Sequence, residues 1–388
     1  MKFKVVPVFL AFLTMGFLDA VGPFVGLAKT EFTLSNTVAF LVPFMGFIMF
    51  GLLSVPMGIY QARKGKKYIL LLGLTVMLVG FMIPIVGLSS FALFLLTVLL
   101  LGAGATIVQV AGNPIMRDVS DEGKYSRNLS LAQFVKAIGS LSGPVIPAIA
   151  ATYFGLDWKI LFPVFAVFVL ITIVSIAPMK IEEKKYEAAT PPTVASCLAL
   201  LKNSYVFMMV SAIFLYVGAE VCMSSGIPIY LSSQFGIDVQ KIGLLGTGVF
   251  FTTLMIGRFL GGVILSWLSP RKFFIITVGV SFVAMLGLYV GTVPVVIGSV
   301  IFIGLGFANI FPLVFSITVD SMPEKTNQLS GLMITAIVGG AIIPPLMGFV
   351  TDHSSISVGF IIPLIALLYI GWTALKNLKG GGSLSAAK

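Results

Sequence analysis

Long apolar runs alternate along the chain with short stretches of charged and turn residues. A helix of about 20 apolar residues crosses the roughly 30 Å hydrocarbon core of a bilayer, and each of these runs is long enough to do so. The pattern therefore predicts twelve membrane-spanning helices, which we number spans 1 to 12. Their predicted limits are 5–29, 35–61, 67–87, 91–117, 127–153, 158–179, 204–233, 239–266, 272–290, 294–319, 328–350 and 356–375.

The longest polar interval, Met179 to Asn203, divides the chain into two halves of six spans each. We expect a six-helix bundle over 1–179, a cytoplasmic linker over 180–203, and a second six-helix bundle with a short cytoplasmic tail over 204–388. The fold class predicted from this arrangement is an all-α polytopic membrane protein with two related six-helix bundles.

The two halves repeat each other in sequence. The segment that begins at Asp118 resembles the one that begins at Asp320, and Asp19 corresponds to Glu220 at an offset of 201 residues. Halves that repeat in the same direction are typical of transporters in which two bundles rock around a central site.

Composition agrees with a membrane location. Hydrophobic residues make up 58% of the chain and charged residues 10%, whereas a soluble domain carries about 25% charged residues. If both termini are cytoplasmic, nearly all lysines and arginines fall in cytoplasmic loops, and the outer loops hold only Lys29, Lys159 and Lys241. This asymmetry follows the positive-inside rule. We therefore expect a multi-pass protein with both termini in the cytoplasm. We also expect a monomer in the bacterial inner membrane, and the net charge of +10 to attract anionic lipid rather than nucleic acid.

Four ionisable residues fall deep inside predicted spans: Asp19, Lys136, Glu220 and Arg258. Lys136 follows Arg127 by nine residues, which places it roughly 14 Å into span 5. Buried charges in a membrane are tolerated where they are paired or reached by water. We expect Asp19 and Lys136 to pair at the same depth, and these two residues together with Glu220 to serve proton coupling.

A separate prediction concerns a gate at the cytoplasmic side. Arg258 is predicted at the inner end of span 8, where it would pair with Asp320 and latch the two halves together.

Uncharged polar side chains at depth complete the predicted binding site. Besides Asp19, Lys136 and Glu220, its predicted members are Gln109, Asn113, Gln133, Tyr216 and Asn309. Amides both donate and accept hydrogen bonds, so they suit the hydroxyls of a sugar or polyol; contacts between helices are the alternative role. Ser224, Ser225 and Gly226 before Pro228 further predict a broken helix in span 7 that faces a cavity.

Other chemistries find no support in the sequence. The chain has no GxxxxGK[ST] motif for nucleotide phosphates. Its single histidine falls in a predicted outer loop, away from any nucleophile. We therefore expect neither an enzyme nor a metal or organic cofactor, and the expected coupling ion is the proton.

Several segments resemble the fucose–galactose–glucose:proton symporters of the major facilitator superfamily. The resemblance is carried by GAGATIVQVAGNPIM in span 4, RNLSLAQFVKAIGS in span 5, YVGAEVCMSSGIPIYL in span 7 and GRFLGG in span 8. It implies two six-helix bundles with alternating access and import of a hexose or deoxyhexose with a proton. It also implies that an aspartate in span 1, matched by Asp19, is central to coupling and substrate binding.

Three positions depart from the pattern of that family. Gln109 stands where the family has a glutamate, Lys136 stands where span 5 usually has an asparagine, and Ala62 replaces the acid of the GxxxDRxG loop. These departures leave several functions open. The protein is expected to be a proton symporter for a sugar; the alternatives are a transporter of an acidic sugar or other organic anion held by Lys136, an uncoupled facilitator, and a drug exporter.

Overall fold

The computed structural model describes residues 6–34, 38, 41–120, 125–179, 193–236, 247–322 and 325–379. Within these residues, eleven helices are long and apolar enough to cross a membrane, and Gly248–Ile264 is a shorter apolar helix at the position of span 8. The predicted all-α membrane fold is confirmed. The long helices are Val6–Ala28, Leu41–Lys64, Lys66–Val86, Phe91–Asp118, Arg127–Phe154, Trp158–Ile176, Ser204–Phe235, Pro270–Gly287, Val293–Ser321, Gln328–His353 and Ile356–Leu378.

Part of the predicted linker is described. Its residues 180–192 lie outside the described residues, and the remainder forms a short helix, Val194–Ala199, followed by a 3₁₀ turn, Leu200–Lys202. Thr193 begins this helix because its side chain and that of Ser196 cap each other's backbone amides. The chain thus enters the second half through a regular, capped segment.

Three spans change from α to another geometry near their middle. Span 1 contains a 3₁₀ stretch at Gly16–Ala20, span 11 contains one at Ala336–Val338, and span 10 is interrupted between Phe307 and Ile310. In span 1 the stretch includes Asp19. In span 1 the irregular backbone therefore coincides with a polar side chain that lines the interior cavity.

The predicted break in span 7 is wrong, because the helix Ser204–Phe235 is continuous. Ser224 stays helical and its hydroxyl donates to the Val221 carbonyl. Gly226 serves close packing instead of unwinding: a methyl carbon placed there would lie 3.1 Å from the ring of Phe360. The small residues therefore let neighbouring helices approach span 7.

The first half (spans 1–6) and the second half (spans 7–12) meet along several helix pairs. Phe134 of span 5 lies 5.5 Å from Phe259 of span 8, measured between ring centroids. At the end of the protein that carries Lys66, Arg117 and Asp320, which we call the basic end, Arg117 reaches Asp320 at 3.8 Å across the two halves. Lys66 also pairs there with the buried Asp118. The halves are thus in contact between the cavity described below and the basic end.

Candidate functional site

A polar cavity lies between the two halves. About 680 Å³ of space is left unfilled by atoms there, including the part that opens to solvent. Its walls combine charged and amide side chains with phenylalanine rings, a mixture of apolar surface and a few polar groups that is typical of small-molecule sites. The polar and aromatic lining residues are Asp19, Gln109, Gln133, Lys136, Glu220, Ser224 and Arg258, and Phe47, Phe50, Phe251 and Phe311.

Asp19 and Lys136 form an ion pair at this cavity, as the sequence predicted. Lys136 Nζ lies 3.5 Å from Asp19 Oδ2, and both side chains are largely buried. Ser140, one helical turn beyond Lys136, donates a hydrogen bond of 2.6 Å to the same carboxylate oxygen. The carboxylate is therefore held by two groups from span 5.

Two glycines bring spans 1 and 5 close enough for this contact. A methyl carbon placed on Gly16 would lie 2.7 Å from the Ser140 amide nitrogen, and one placed on Gly139 would lie 3.2 Å from the Gly16 Cα. Because neither residue carries a side chain, the two backbones touch directly. This contact sets the distance between Asp19 and its partners on span 5.

A second ion pair belongs to the second half. Arg258 Nη2 donates to Glu220 Oε1 at 3.2 Å, and the arginine is 3% exposed. Its other nitrogens donate to two carbonyl oxygens at 3.4 Å, those of Ala308 in span 10 and Gln133 in span 5. Arg258 thus joins two helices of its own half to one helix of the other half.

The predicted pairing of Arg258 with Asp320 is wrong. Arg258 faces the cavity and binds Glu220, whereas Asp320 lies at the basic end and pairs with Arg117 at 3.8 Å. The reason is depth: an arginine in the middle of a span needs a partner at its own level, and Glu220 of span 7 supplies one. Asp320 still joins the two halves, although through a different arginine.

Two predicted amides line the cavity. Gln109 of span 4 and Gln133 of span 5 are each 2% exposed and belong to its wall. Gln133 Nε2 is buried, and among the described residues it has no hydrogen-bond partner. A buried donor of this kind costs about 1–3 kcal/mol while it remains unsatisfied. A ligand acceptor in the cavity would remove that cost.

Three other predicted site residues lie outside the cavity wall. Tyr216 is fully buried and donates to the Phe307 carbonyl at 3.0 Å. Asn309 donates to the Gly257 carbonyl at 2.7 Å and so joins spans 10 and 8. Asn113 is fully buried, and neither polar atom of its amide has a partner among the described residues. In this structure Tyr216 and Asn309 make contacts between helices and are not part of the cavity wall, and their predicted role in ligand binding stays a prediction.

Sequence reasoning did not identify Ser140 or three of the four lining phenylalanines; the fourth, Phe311 of span 10, was expected at the wall opposite Asp19 and Lys136 and does line the cavity. Ser140 lies four residues after Lys136, so helical spacing alone places both on one face. Phe47, Phe50 and Phe251 carried no such signal, since the chain contains 33 phenylalanines. Only the packing of spans 2 and 8 around the cavity distinguishes these rings.

Comparisons with known proteins agree with the fold. A profile of the Major Facilitator Superfamily matches residues 8–343. The glucose/galactose transporter of Brucella abortus biovar 1 is 28% identical over 90% of this chain and 88% of its own length. The L-fucose-proton symporter of Escherichia coli K12 is 23% identical over 88% of this chain and 85% of its own length.

Solved structures show the same fold. The crystal structure of FucP in the outward conformation superposes with a TM-score of 0.77 at 21% sequence identity, covering 96% of this chain and 99% of FucP. The resemblance indicated by the sequence motifs is therefore confirmed. The matched proteins are transporters and not enzymes. This chain belongs to the Major Facilitator Superfamily.

Proposed function

We propose that this protein imports a monosaccharide or a sugar derivative together with a proton, by alternating access, across a bacterial inner membrane. Relatives that cover most of the chain are named a glucose/galactose transporter and an L-fucose-proton symporter. Their names supply the substrate class, and the cavity between the halves supplies a place for such a substrate.

The observation that carries the proposal is the Asp19–Lys136 pair. It lies on the wall of a cavity between two halves, in the middle of a membrane-spanning bundle. A carboxylate in that position can take up a proton, and its attraction to Lys136 then falls. The change in charge alters how Asp19 and Lys136 interact with a ligand, which links proton binding to substrate binding.

We assign sugar recognition to the side chains that line the cavity. Gln109 and Gln133 offer amides that donate to and accept from hydroxyls, and the Gln133 donor lacks a protein partner among the described residues. Phe47, Phe50 and Phe251 offer flat apolar faces on which a sugar ring can pack. The lining therefore matches both faces of a monosaccharide, the hydroxyl-rich edge and the apolar C–H surface.

Uptake into proteoliposomes tests the proposal. Purified protein is reconstituted and supplied with radiolabelled glucose, galactose, fucose and their carboxylated derivatives, with and without an inward proton gradient. We expect accumulation of at least one sugar above the outside concentration only when the gradient is present. Equilibration without accumulation would identify an uncoupled facilitator, and no uptake of any sugar would refute the proposal.

Asp19→Asn identifies the proton site in the same assay. Asparagine has nearly the shape of aspartate and cannot titrate, so we expect uphill uptake to be lost while exchange of labelled for unlabelled sugar continues. Glu31→Gln is the matched control, because Glu31 pairs with Lys159 at 2.6 Å outside the cavity. Full accumulation by the Asp19→Asn protein would exclude Asp19 as the coupling residue.

A further inference from the structure

We propose that Lys136 is a carboxylate-binding site that opens only when Asp19 carries a proton, so that the transported sugar is a sugar acid. This inference rests on the proposed function, because it names the substrate class of the same cavity. It follows from the hydrogen-bonding capacity of the two buried cations, from the unsatisfied amide of Gln133, and from the charge balance of the cavity.

The two cations of the cavity differ in how much of their hydrogen-bonding capacity is used. The Arg258 guanidinium donates to Glu220, to the Ala308 carbonyl and to the Gln133 carbonyl. The Lys136 ammonium has three donors, and among the described residues its ion pair is with Asp19 alone, at 3.5 Å. Lys136 is therefore the cation with donors to offer an incoming anion.

A second, independent observation points to the same place. Gln133 Nε2 lies at the cavity, three residues before Lys136 on the same helix, and is buried without a partner among the described residues. Side chains three apart share one face of a helix. A carboxylate held by Lys136 would lie beside this amide, which can donate to a carboxylate oxygen or to the adjacent sugar hydroxyl. One ligand group would thus satisfy two unsatisfied donors.

The charges that face Asp19 explain why the site must open on protonation. Lys136 and Ser140 reach Asp19 from span 5, and Glu220 of span 7 and Arg258 of span 8 line the same cavity. With all four charged groups ionised, two negative and two positive charges sum to zero. A substrate anion would then add an uncompensated buried charge, which is strongly unfavourable at this depth.

A proton on Asp19 removes that obstacle. The carboxyl group becomes neutral, Lys136 loses its counter-charge, and a substrate carboxylate restores the balance by taking the place of Asp19. The proton enters from the outer water and leaves with the substrate on the other side, so one complete cycle moves one positive and one negative charge and no net charge. Because the two carboxylates compete for one ammonium, binding of the proton and binding of the substrate anion are coupled.

Binding measurements on the purified protein test the competition. The affinity for glucuronate is measured by isothermal calorimetry from pH 5 to pH 9. Because one proton must bind before one anion, we expect the affinity of the wild-type protein to fall about tenfold per pH unit once Asp19 is deprotonated. An affinity for glucuronate that does not change between pH 5 and pH 9 would overturn the proposal without the use of any variant.

Variants separate the roles of the two carboxylates. Asp19→Asn should bind glucuronate at pH 9 as tightly as the wild-type protein does at low pH, with no dependence on pH. Glu220→Gln should keep the pH dependence, because Asp19 still competes for Lys136, and Glu31→Gln should bind glucuronate as the wild-type protein does at every pH. Lys136→Gln should lose at least tenfold in glucuronate affinity at low pH. Persistence of the pH dependence in the Asp19→Asn protein would contradict the competition.

Transport distinguishes failure of this inference from failure of the proposed function. In proteoliposomes with an inward proton gradient, we expect accumulation of glucuronate or galacturonate without a transported current, and at least tenfold slower uptake of glucose and galactose. Accumulation of the neutral hexoses alone, with an inward current, would refute the sugar-acid inference and leave the sugar transporter intact. Uptake of neither class would refute both.

Discussion

The contact between spans 1 and 5 gives the sharpest test of how the site is built. Gly16→Ala adds one methyl group where a carbon would lie 2.7 Å from the Ser140 amide nitrogen, whereas ordinary contact begins at 3.4 Å. The same methyl group would meet the Lys136 carbonyl oxygen more closely still. Relieving the overlap therefore requires the two backbones to separate by at least about 0.7 Å, because close-packed interiors have no free volume to absorb it.

The displacement acts directly on Asp19. Its hydrogen bond from Ser140 is 2.6 Å and its contact with Lys136 is 3.5 Å. A shift of about 0.7 Å along these directions would take them to about 3.3 Å and about 4.2 Å, beyond the limits for a hydroxyl hydrogen bond and a direct ion pair. Overpacking of this kind destabilises proteins by about 1–3 kcal/mol. We therefore expect a folded protein whose proton coupling is impaired.

The assay combines thermal unfolding with proton-driven sugar uptake in proteoliposomes. Gly16→Ala should retain a cooperative unfolding transition at a lower temperature and lose at least tenfold in uphill uptake. Gly298→Ala is the matched control, since a methyl carbon there would meet nothing within 4 Å, and it should behave as the wild-type protein does. A Gly16→Ala protein with unchanged uptake would show that the close backbone contact does not set the geometry of Asp19.

Three further predictions follow from contacts outside the cavity. Tyr216→Phe removes the hydroxyl that donates to the Phe307 carbonyl. The free energy of unfolding should therefore fall by about 1–2 kcal/mol while the affinity for substrate stays the same. A loss of affinity would show that Tyr216 contributes to substrate binding. Asp320→Asn breaks a partly exposed ion pair with Arg117, which is worth at most about 1 kcal/mol. The rate of cysteine labelling from the basic end should therefore rise no more than about fivefold. A larger rise would mean that this pair alone holds the halves closed. The hydrogen bond from Lys159 lowers the pKa of Glu31 below its usual 4.5. The stability that this ion pair contributes is therefore present above pH 4.5 and is lost as the pH falls through the lowered pKa. Glu31→Gln should reduce the unfolding temperature more at pH 7 than at pH 3, and an equal reduction at both would exclude the ion pair as its cause.

Much of this architecture could be predicted because a membrane restricts what a sequence can encode. Twelve apolar runs became eleven long helices and one shorter one within the described residues. The pairing of Asp19 with Lys136 could be predicted for the case that spans 1 and 5 are neighbours, since each residue lies a similar distance into its span and neither tolerates isolation there. The structure shows that these two spans are neighbours.

Details that depend on which helices are neighbours could not be predicted. Tyr216 and Asn309 are polar residues at membrane depth, just as Gln109 and Gln133 are, and one sequence does not tell which pair faces a cavity. The structure separates them by their partners: a carbonyl of span 10 for Tyr216 and a carbonyl of span 8 for Asn309. The sequence predicted Arg258 near the basic end. The predicted boundary between spans 8 and 9 is defined only to within several residues, and so is the depth of Arg258 in the membrane.

The distribution of the ion pairs between the halves also bears on how the protein can move. Asp19 and Lys136 both belong to the first half, and Glu220 and Arg258 both belong to the second. Breaking a buried pair by removing one partner costs about 3–5 kcal/mol, but rocking of one half against the other leaves both of these pairs intact.

Two polar contacts that cross between the halves are long for their kind. Arg258 reaches the Gln133 carbonyl at 3.4 Å, and Arg117 reaches Asp320 at 3.8 Å with the aspartate side chain 53% exposed. An exposed pair contributes about 0–1 kcal/mol, so thermal motion can break and reform it readily. The strong electrostatic contacts thus fix the site within each half, and these two long contacts lie where the proposed alternating access requires the halves to separate.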